Sequence, residues 1–311
     1  MYFVIKKEGD TIDLLSLKYF QTVARLEHMT RAAESLQIAQ PALSKMIGNL
    51  EKELNVKLFD RTGKTIQLNE FGRRFLARVD AALQTLEDGK QELLDLAGRP
   101  TGNLVFYIQV GSYLLPDMIS KFRQQYPEVE FKLLQHDSGS SVYPSFDLCI
   151  SSSPFTIPGT ESVPVLTEEI KLAVPSGHRL AHRQTVRLHE LAEERFIGLK
   201  PGKRLRETTD SLCRFAGFIP HIIYECDEPA MVRSLIRAGL GVSFIPSLTW
   251  GGSEGSSVAL VSIEEPISTR TIEISWYTHR YMTEAAKKFK EFVLEYYKQL
   301  GEGLPQRISP E

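Results

Sequence analysis

At 311 residues the chain has room for two or three compact units, and its 42% hydrophobic content is that of a globular protein rather than a disordered one. The net charge of −2 is unevenly shared: residues 1–75 hold 12 Lys and Arg against 9 Asp and Glu, a net of +3, and the rest hold 25 against 30, a net of −5. A basic head on an acidic body suits a polyanionic partner for the head, and no apolar stretch reaches the roughly 20 residues that a membrane-spanning helix needs.

Residues 1–12 form an amino-terminal extension with no assigned role. Further on, Thr30 is a good N-cap, Ala32, Ala33 and Leu36 make an inward stripe, and Gln37-Ile38-Ala39 supplies a turn. Pro41 then stands where a first-turn proline costs no hydrogen bond, and Leu43, Ile47, Leu50 and Leu54 repeat at helical spacing. The other side of that second helix offers Gln40, Ala42, Ser44, Lys45 and Asn49. Amide and hydroxyl groups bond base edges, an alanine methyl meets the thymine methyl, and Lys45 and Asn49 suit phosphates, with Thr30, Arg31 and Pro41 beside them. Asn55 tolerates the left-handed conformation that ends a helix. From Val56 to Leu68 two apolar stretches flank a Gly-containing turn, which predicts a hairpin with Arg61 and Lys64 at its tip. A cationic hairpin beside such a helix is a wing, and the pairing is more specific to DNA than either element alone.

With these residues in place, 13–75 resembles the amino-terminal domain of the LysR-type transcriptional regulators. The resemblance runs through Leu17-Lys18-Tyr19-Phe20, Ala32-Ala33, Gln40-Pro41-Ala42-Leu43-Ser44, Leu50-Glu51, Leu58-Phe59-Asp60-Arg61 and Leu68-Asn69-Glu70-Phe71-Gly72. Asn55 and Asn69 depart from the Gly and Thr usual in the family, and each still serves as a cap. The resemblance implies a multidomain chain: an α-helical winged helix-turn-helix domain (13–69), a long dimerisation helix (70–97), a hinge (98–102) and a two-lobed α/β effector domain like the periplasmic binding proteins (103–300), followed by a tail (301–311).

From Asn69 to Ala97 no proline interrupts a helical pattern in which Phe75, Val79, Ala82, Leu86, Gly89 and Leu93 alternate by fours and threes, widened by Leu76, Leu83 and Leu94. Such a stripe packs either on its own domain or on a partner. A helix of about 28 residues spans about 40 Å, more than a small domain needs, and the resemblance assigns Phe75, Val79, Leu86 and Leu93 to subunit pairing. Gly98-Arg99-Pro100-Thr101-Gly102 then breaks the helix.

Beyond the hinge the pattern alternates. Strands are predicted at Asn103–Val110, Val129–Leu134, Asp147–Ser151, Ile170–Val174, Arg195–Leu199, Pro220–Tyr224 and Val242–Ile245. Helices are predicted at Leu114–Gln125, Leu188–Ala192, Lys203–Ala216, Pro229–Ala238 and Thr283–Leu300. The family's effector domain matches best at Arg195-Phe196-Ile197-Gly198-Leu199, Ala216-Gly217-Phe218 and Ala238 to Pro246. By that resemblance one lobe comprises 103–168 and 273–300 and the other 169–272, joined by crossover strands near Thr167–Val174 and Thr271–Thr278. Ligands in such folds bind at strand carboxyl ends, where helix amino termini point inward. Gly111-Ser112-Tyr113 and, across the cleft, Lys200-Pro201-Gly202-Lys203 occupy those positions and suit a small carboxylate or other anion; alternatively Ser112 merely caps its helix and the lysines are solvated. Asp137, Ser138 and Ser140 are weaker candidates from a loop shorter than the family norm, and Asp227 reads as the cap of the helix after it.

The expected function is a cytoplasmic, effector-responsive transcription factor without cofactor or metal. Its partners are promoter DNA, a small anion, its own copies as a homodimer or homotetramer, and RNA polymerase as a further candidate. The alternative is a ligand-binding protein whose head contacts another protein rather than DNA. An enzyme is disfavoured, since the seven histidines show no HExxH pattern and neither a GxSxG elbow nor a phosphate loop is expected. Cys149, Cys213 and Cys226 show no metal-like spacing and read as buried thiols; the resemblance leaves open a redox pair of Cys213 and Cys226.

Overall fold

The computed structural model describes residues 12–62, 65–97, 103–135, 145–251 and 257–302, so Lys64, the 98–102 hinge, Asp137, Ser138 and Ser140 lie outside the described residues. The chain divides after Ala97 into two compact units.

The first unit begins with α1 (Leu14–Leu26), capped by the Asp13 carboxylate accepting from the Ser16 N–H at 2.6 Å. Next comes α2 (Met29–Ser35), whose cap is His28 rather than Thr30: the imidazole Nδ1 accepts from the Arg31 N–H at 3.3 Å, which moves the helix start one residue earlier and leaves Thr30 exposed within it. Gln37, at φ +56°, turns the chain into α3 (Gln40–Glu53), with Pro41 in its first turn. Asn55 ends that helix at φ +54°. The core is made by Phe20 and Val23 of α1, Ala32 and Ala33 of α2, and Leu43, Ile47 and Leu50 of α3. The two small alanines let three helices approach closely.

The hairpin follows as β1 (Phe59–Thr62) and β2 (Thr65–Leu68), antiparallel, with Phe59 opposite Leu68 and Arg61 opposite Ile66. Arg61 therefore sits within the ladder rather than at the tip. The chain then enters α4 (Glu70–Leu96), where the Asn69 side chain accepts from the Gly72 N–H at 2.9 Å. Gly72 lies under the hairpin so closely that a Cβ would come within 2.2 Å of the Leu58 carbonyl. Val79 is buried in this unit's own core, and Phe75, Leu76 and Leu83 pack against it. The first half of the predicted pairing stripe is thus engaged inside the chain, because the helix must cover α1 before it can project. Leu86, Leu93 and Leu96 remain 58%, 69% and 78% exposed.

The second unit is two-lobed. In the first lobe β3 (Asn103–Ile108) leads through a 3-10 turn (Ser112–Leu114) into α5 (Leu115–Gln125) and then to β4 (Glu130–Gln135), parallel to β3. On the other side β3 pairs in parallel with β5 (Leu148–Ser152). The chain next runs as a 16-residue strand, β6 (Thr160–Pro175), into the second lobe. There lie β7 (Thr185–Val186), a 3-10 turn (Leu188–Leu191), β8 (Arg195–Leu199), α6 (Arg204–Phe215), β9 (His221–Cys226), α7 (Pro229–Arg237), β10 (Ser243–Pro246) and β11 (Val258–Ile263). Finally β12 (Thr269–Tyr277) returns to the first lobe, where α8 (Glu284–Glu302) covers the sheet.

β6 belongs to both lobes: residues 160–169 pair with β12, while 170–175 pair with β10 and β11. The sheet runs β4-β3-β5-β12-β6-β11-β7, and β8 and β9 form a separate parallel pair. Separate cores back the two halves, Phe106, Phe122, Ile274 and Phe289 among the first, Leu172, Phe196, Val232 and Phe244 among the second.

At the crossover Glu168, 1% exposed, is fully satisfied. Its carboxylate accepts from the Leu248 and Thr249 N–H groups at 2.8 and 2.9 Å, from the Thr249 hydroxyl at 2.6 Å and from Arg270 Nε at 2.9 Å. A buried charge persists only when paired and hydrogen-bonded in this way, and removing one partner typically costs about 3–5 kcal/mol.

Candidate nucleic-acid interface and ligand cleft

One side of α3 is committed to the core, and the other is open. Gln40, Pro41, Ala42, Lys45 and Asn49 are exposed and Ser44 is half-buried. No polar side chain in this row bonds to a described residue, so these amide, hydroxyl and ammonium groups have hydrogen-bonding capacity unspent among the described residues. Arg31 on α2 is exposed as well. The backbone of Arg61 is in β1, beside this helix in sequence.

The base of the wing is held by side chains from both neighbouring helices. Glu51, near the end of α3 and 2% exposed, accepts from the Leu58 N–H at 2.9 Å and pairs with Lys57 at 2.9 Å. Glu27, just beyond α1, accepts from the Leu68 N–H at 2.7 Å. Asn69 adds a bond from its amide to the Lys57 carbonyl at 2.9 Å. Sequence reading noted Leu50-Glu51 and passed over Glu27, for which only a charged residue at a helix end was visible.

In the second unit, Gly111 is buried at φ +73° at the carboxyl end of β3, and Ser112 is exposed at the start of the 3-10 turn. Ser112 forms no cap bond; the cap position belongs to Gly111. Tyr113 packs on Gly251, where an added Cβ would lie 2.3 Å from its ring, and the Arg233 guanidinium of α7 stands 4.9 Å over the same ring. The two lobes therefore touch at Tyr113. They touch again where Arg204 of α6 donates to the Pro154 carbonyl and sits 5.4 Å over the Phe155 ring.

The lysine loop is arranged differently from the sequence expectation. Lys200 is paired with Asp227, an ion pair that draws the Asp227 carboxyl below the usual range. Asp227 thus neutralises a lysine instead of capping α7, whose cap residue is Glu228. Pro201 and Gly202 are exposed, and the half-buried Lys203 stands at the cap position of α6.

Two groups that sequence reading missed carry more unspent hydrogen-bonding capacity. The Gln109 Nε2 atom, two residues before Gly111, is buried without a partner among the described residues. Arg233 forms no ion pair among the described residues, and burial, with Arg237 beside it, lowers its pKa. Gln109 is two residues before the Gly111 turn in sequence, and Arg233 stands over the ring of Tyr113, two residues after it.

The spacing G-x-S-x-G occurs at Gly251 to Gly255, but Val258 begins a strand where a nucleophile elbow requires a helix. Among the described residues no group of His, Cys, Asp or Glu could hold a metal. All three cysteines are buried, and burial pushes Cys149 and Cys213 up to about 12, the opposite of a reactive thiolate. No described helix is long and apolar enough to cross a membrane.

Comparison with known proteins gives matches to two family models. Residues 14–73 match the bacterial regulatory helix-turn-helix protein, lysR family, and residues 98–298 match the LysR substrate binding domain. The uncharacterized HTH-type transcriptional regulator YybE of Bacillus subtilis (strain 168) is 38% identical, covering 91% of this chain and 98% of that one. GltC of the same organism, a transcriptional dual regulator, is 33% identical over 93% of this chain and 99% of its own. Among solved structures, full-length OxyR from Pseudomonas aeruginosa matches with a TM-score of 0.67 at 21% identity, covering 96% of this chain and 99% of that chain. CbnR complexed with its target DNA matches at 0.63 and 22% identity, over 91% and 99%. These last two likenesses concern the fold.

Proposed function

Because the chain belongs to the LysR family of transcriptional regulators, being a DNA-binding regulator with an effector-binding domain, we propose that α3 reads base edges through Gln40 and Ser44. Lys45, Asn49 and the wing around Arg61 and Lys64 hold phosphates, with Thr30, Arg31, Pro41 and Ala42 at the margin of the same surface. The observation carrying this reading is the exposed row on α3, whose polar groups are unpaired among the described residues while Leu43, Ile47 and Leu50 behind it are buried.

The effector is a small anion, held between the lobes by Gln109, Ser112 and Arg233 around the Gly111 turn. Lys203 is a secondary contributor, and Lys200 is already neutralised by Asp227. Two copies pair through the exposed half of α4, and the anion favours one arrangement of the lobes. That preference shifts the population toward one DNA-bound geometry, altering bending or half-site spacing.

The test is selection of duplexes from a random pool by the purified chain, followed by binding of the selected and random sequences. Replacing Gln40 and Ser44 by Ala should narrow the difference between the two by about 10-fold or more, each good base contact being worth about 1–3 kcal/mol. An equal loss on both kinds of duplex would reject the base-reading role. Absence of salt-dependent binding by the unaltered chain would overturn the DNA-reading site itself.

A further inference from the structure

Glu27 is in an uncomfortable place. It follows α1 at φ +44° and ψ 32°, a left-handed conformation that costs a residue with a Cβ about 1–2 kcal/mol and that glycine or asparagine adopts more readily. Its carboxylate reaches 41 residues along the chain to the Leu68 N–H. Glu51, rising from α3, takes the Leu58 N–H at 2.9 Å and, more weakly, the Phe59 N–H at 3.4 Å. Phe59 and Leu68 are partners on the first rung of the hairpin. Two carboxylates from two different helices thus grip opposite strands of one rung.

Both are acidic residues in a domain that must approach a polyanion, where each negative charge opposes association. A two-stranded hairpin is marginal by itself and needs outside support to hold an orientation. The strain at Glu27 and the carboxylates on a DNA-binding domain each come with a hydrogen bond to the hairpin or to the chain entering it.

Resting on the DNA-binding reading above, we propose that Glu27 and Glu51 are positioning residues for that binding. They set the wing at a fixed distance and angle from α3, so that the basic hairpin and the base-reading helix engage one duplex together. Without the grip, α3 still docks and the wing's phosphate contacts are lost.

The experiment is titration of the full chain with a mixed-sequence duplex several helical turns long, over a salt series, using Glu27→Ala, Glu27→Gln and Glu51→Gln. Removal of a negative charge alone would raise affinity. Glu27→Ala is expected to lower it instead, by about eightfold at 0.1 M salt for each phosphate contact withdrawn, and to flatten the slope of log K against log salt by about 0.9 per contact. Glu27→Gln loses the same charge but keeps the acceptor, and should restore both affinity and slope; Glu51→Gln, keeping its acceptor to Leu58, should behave likewise. Thermal unfolding of the variants checks that the domain is intact. Unchanged affinity and slope in Glu27→Ala, or a fall in Glu27→Gln as large as in Glu27→Ala, would overturn the positioning role. Failure of the unaltered chain to bind would sink the underlying reading, and that result precedes any substitution.

Discussion

A glycine in the middle of a helix that has to be rigid calls for a reason. Gly48 lies four residues beyond Ser44 and eight beyond Gln40, on the stripe that faces away from the core, and a Cβ built there meets nothing within 4 Å. No packing inside the chain requires it, and it weakens α3 by about 0.5–1 kcal/mol relative to alanine. Close approach of the sugar-phosphate backbone would supply the missing reason. Gly48→Ala should therefore raise the unfolding free energy by that amount while lowering duplex affinity; melting and duplex titration on the same sample check both, and a gain in stability with unchanged affinity would discard the explanation. Arg233 poses the converse question, a half-buried cation over an aromatic ring that forms no ion pair among the described residues. A panel of small di- and tricarboxylates, scored by thermal shift, should include a binder that stabilises the chain by about 2.7 kcal/mol at a hundred times its Kd. Arg233→Ala should weaken that binder about 10- to 100-fold, the loss of a charge-assisted bond or two, whereas Lys200→Ala should weaken it far less, since Lys200 already has Asp227. A larger loss in the lysine variant would return the site to the Lys200 loop.

Among the elements, the junction of wing and connector is the tightest. At Gly72 an alanine methyl would meet the Leu58 carbonyl oxygen at 2.2 Å and the Leu68 side chain at 2.9 Å, and the backbone oxygen cannot retreat without moving the chain that enters the hairpin. Gly72→Ala is expected to cost about 1–3 kcal/mol, an overpacking penalty opposite in sign to the Gly48 effect. Equilibrium unfolding followed by circular dichroism reads the difference, and a neutral result would mean the hairpin shifts freely. This junction also marks what the sequence could and could not tell. The family resemblance marked α1 through Leu17-Lys18-Tyr19-Phe20, whereas periodicity located α2 to α4 and most strands of the second unit, because burial of one stripe leaves a regular apolar mark. It did not find the first ten residues of β6, where Pro164 and several charged residues break the alternation; the strand tolerates them because a bulge opposite Ile272 and Glu273 absorbs the irregularity. Thr30 looked the better cap by residue type, but His28 holds the cap because its ring reaches the Arg31 N–H. The row on α3 was legible since it is local. Arg233 and the grip of Glu27 were not, because each depends on a partner more than 40 residues away.

The scale of the whole molecule is set by what α4 leaves uncovered. Of the stripe that runs along it, Val79 is spent inside the first unit, and Leu86, Leu93 and Leu96 are left largely in water. Leu86 and Leu93 are seven residues apart, the repeat that keeps apolar side chains on one seam between paired helices. Exposing three leucines on one helix is unfavourable for a monomer, and under the pairing proposed above a second copy of the same helix would cover them by symmetry. Pairing changes the energetics of DNA binding more than it changes any single contact. One helix-turn-helix reads a few base pairs, and linking two makes the second engagement intramolecular, multiplying affinity by about 10²–10⁴ when the geometry fits. Aspartate at both Leu86 and Leu93 places charges opposite their symmetry mates and should yield monomers by sedimentation, with each unit still folded because neither residue is in a core. Binding to a two-part site should then fall by at least about a hundredfold, approaching the affinity for a single half-site. A double variant that sediments like the unaltered chain would move the pairing surface elsewhere, and a monomer that binds the two-part site undiminished would show that each copy reads its half alone.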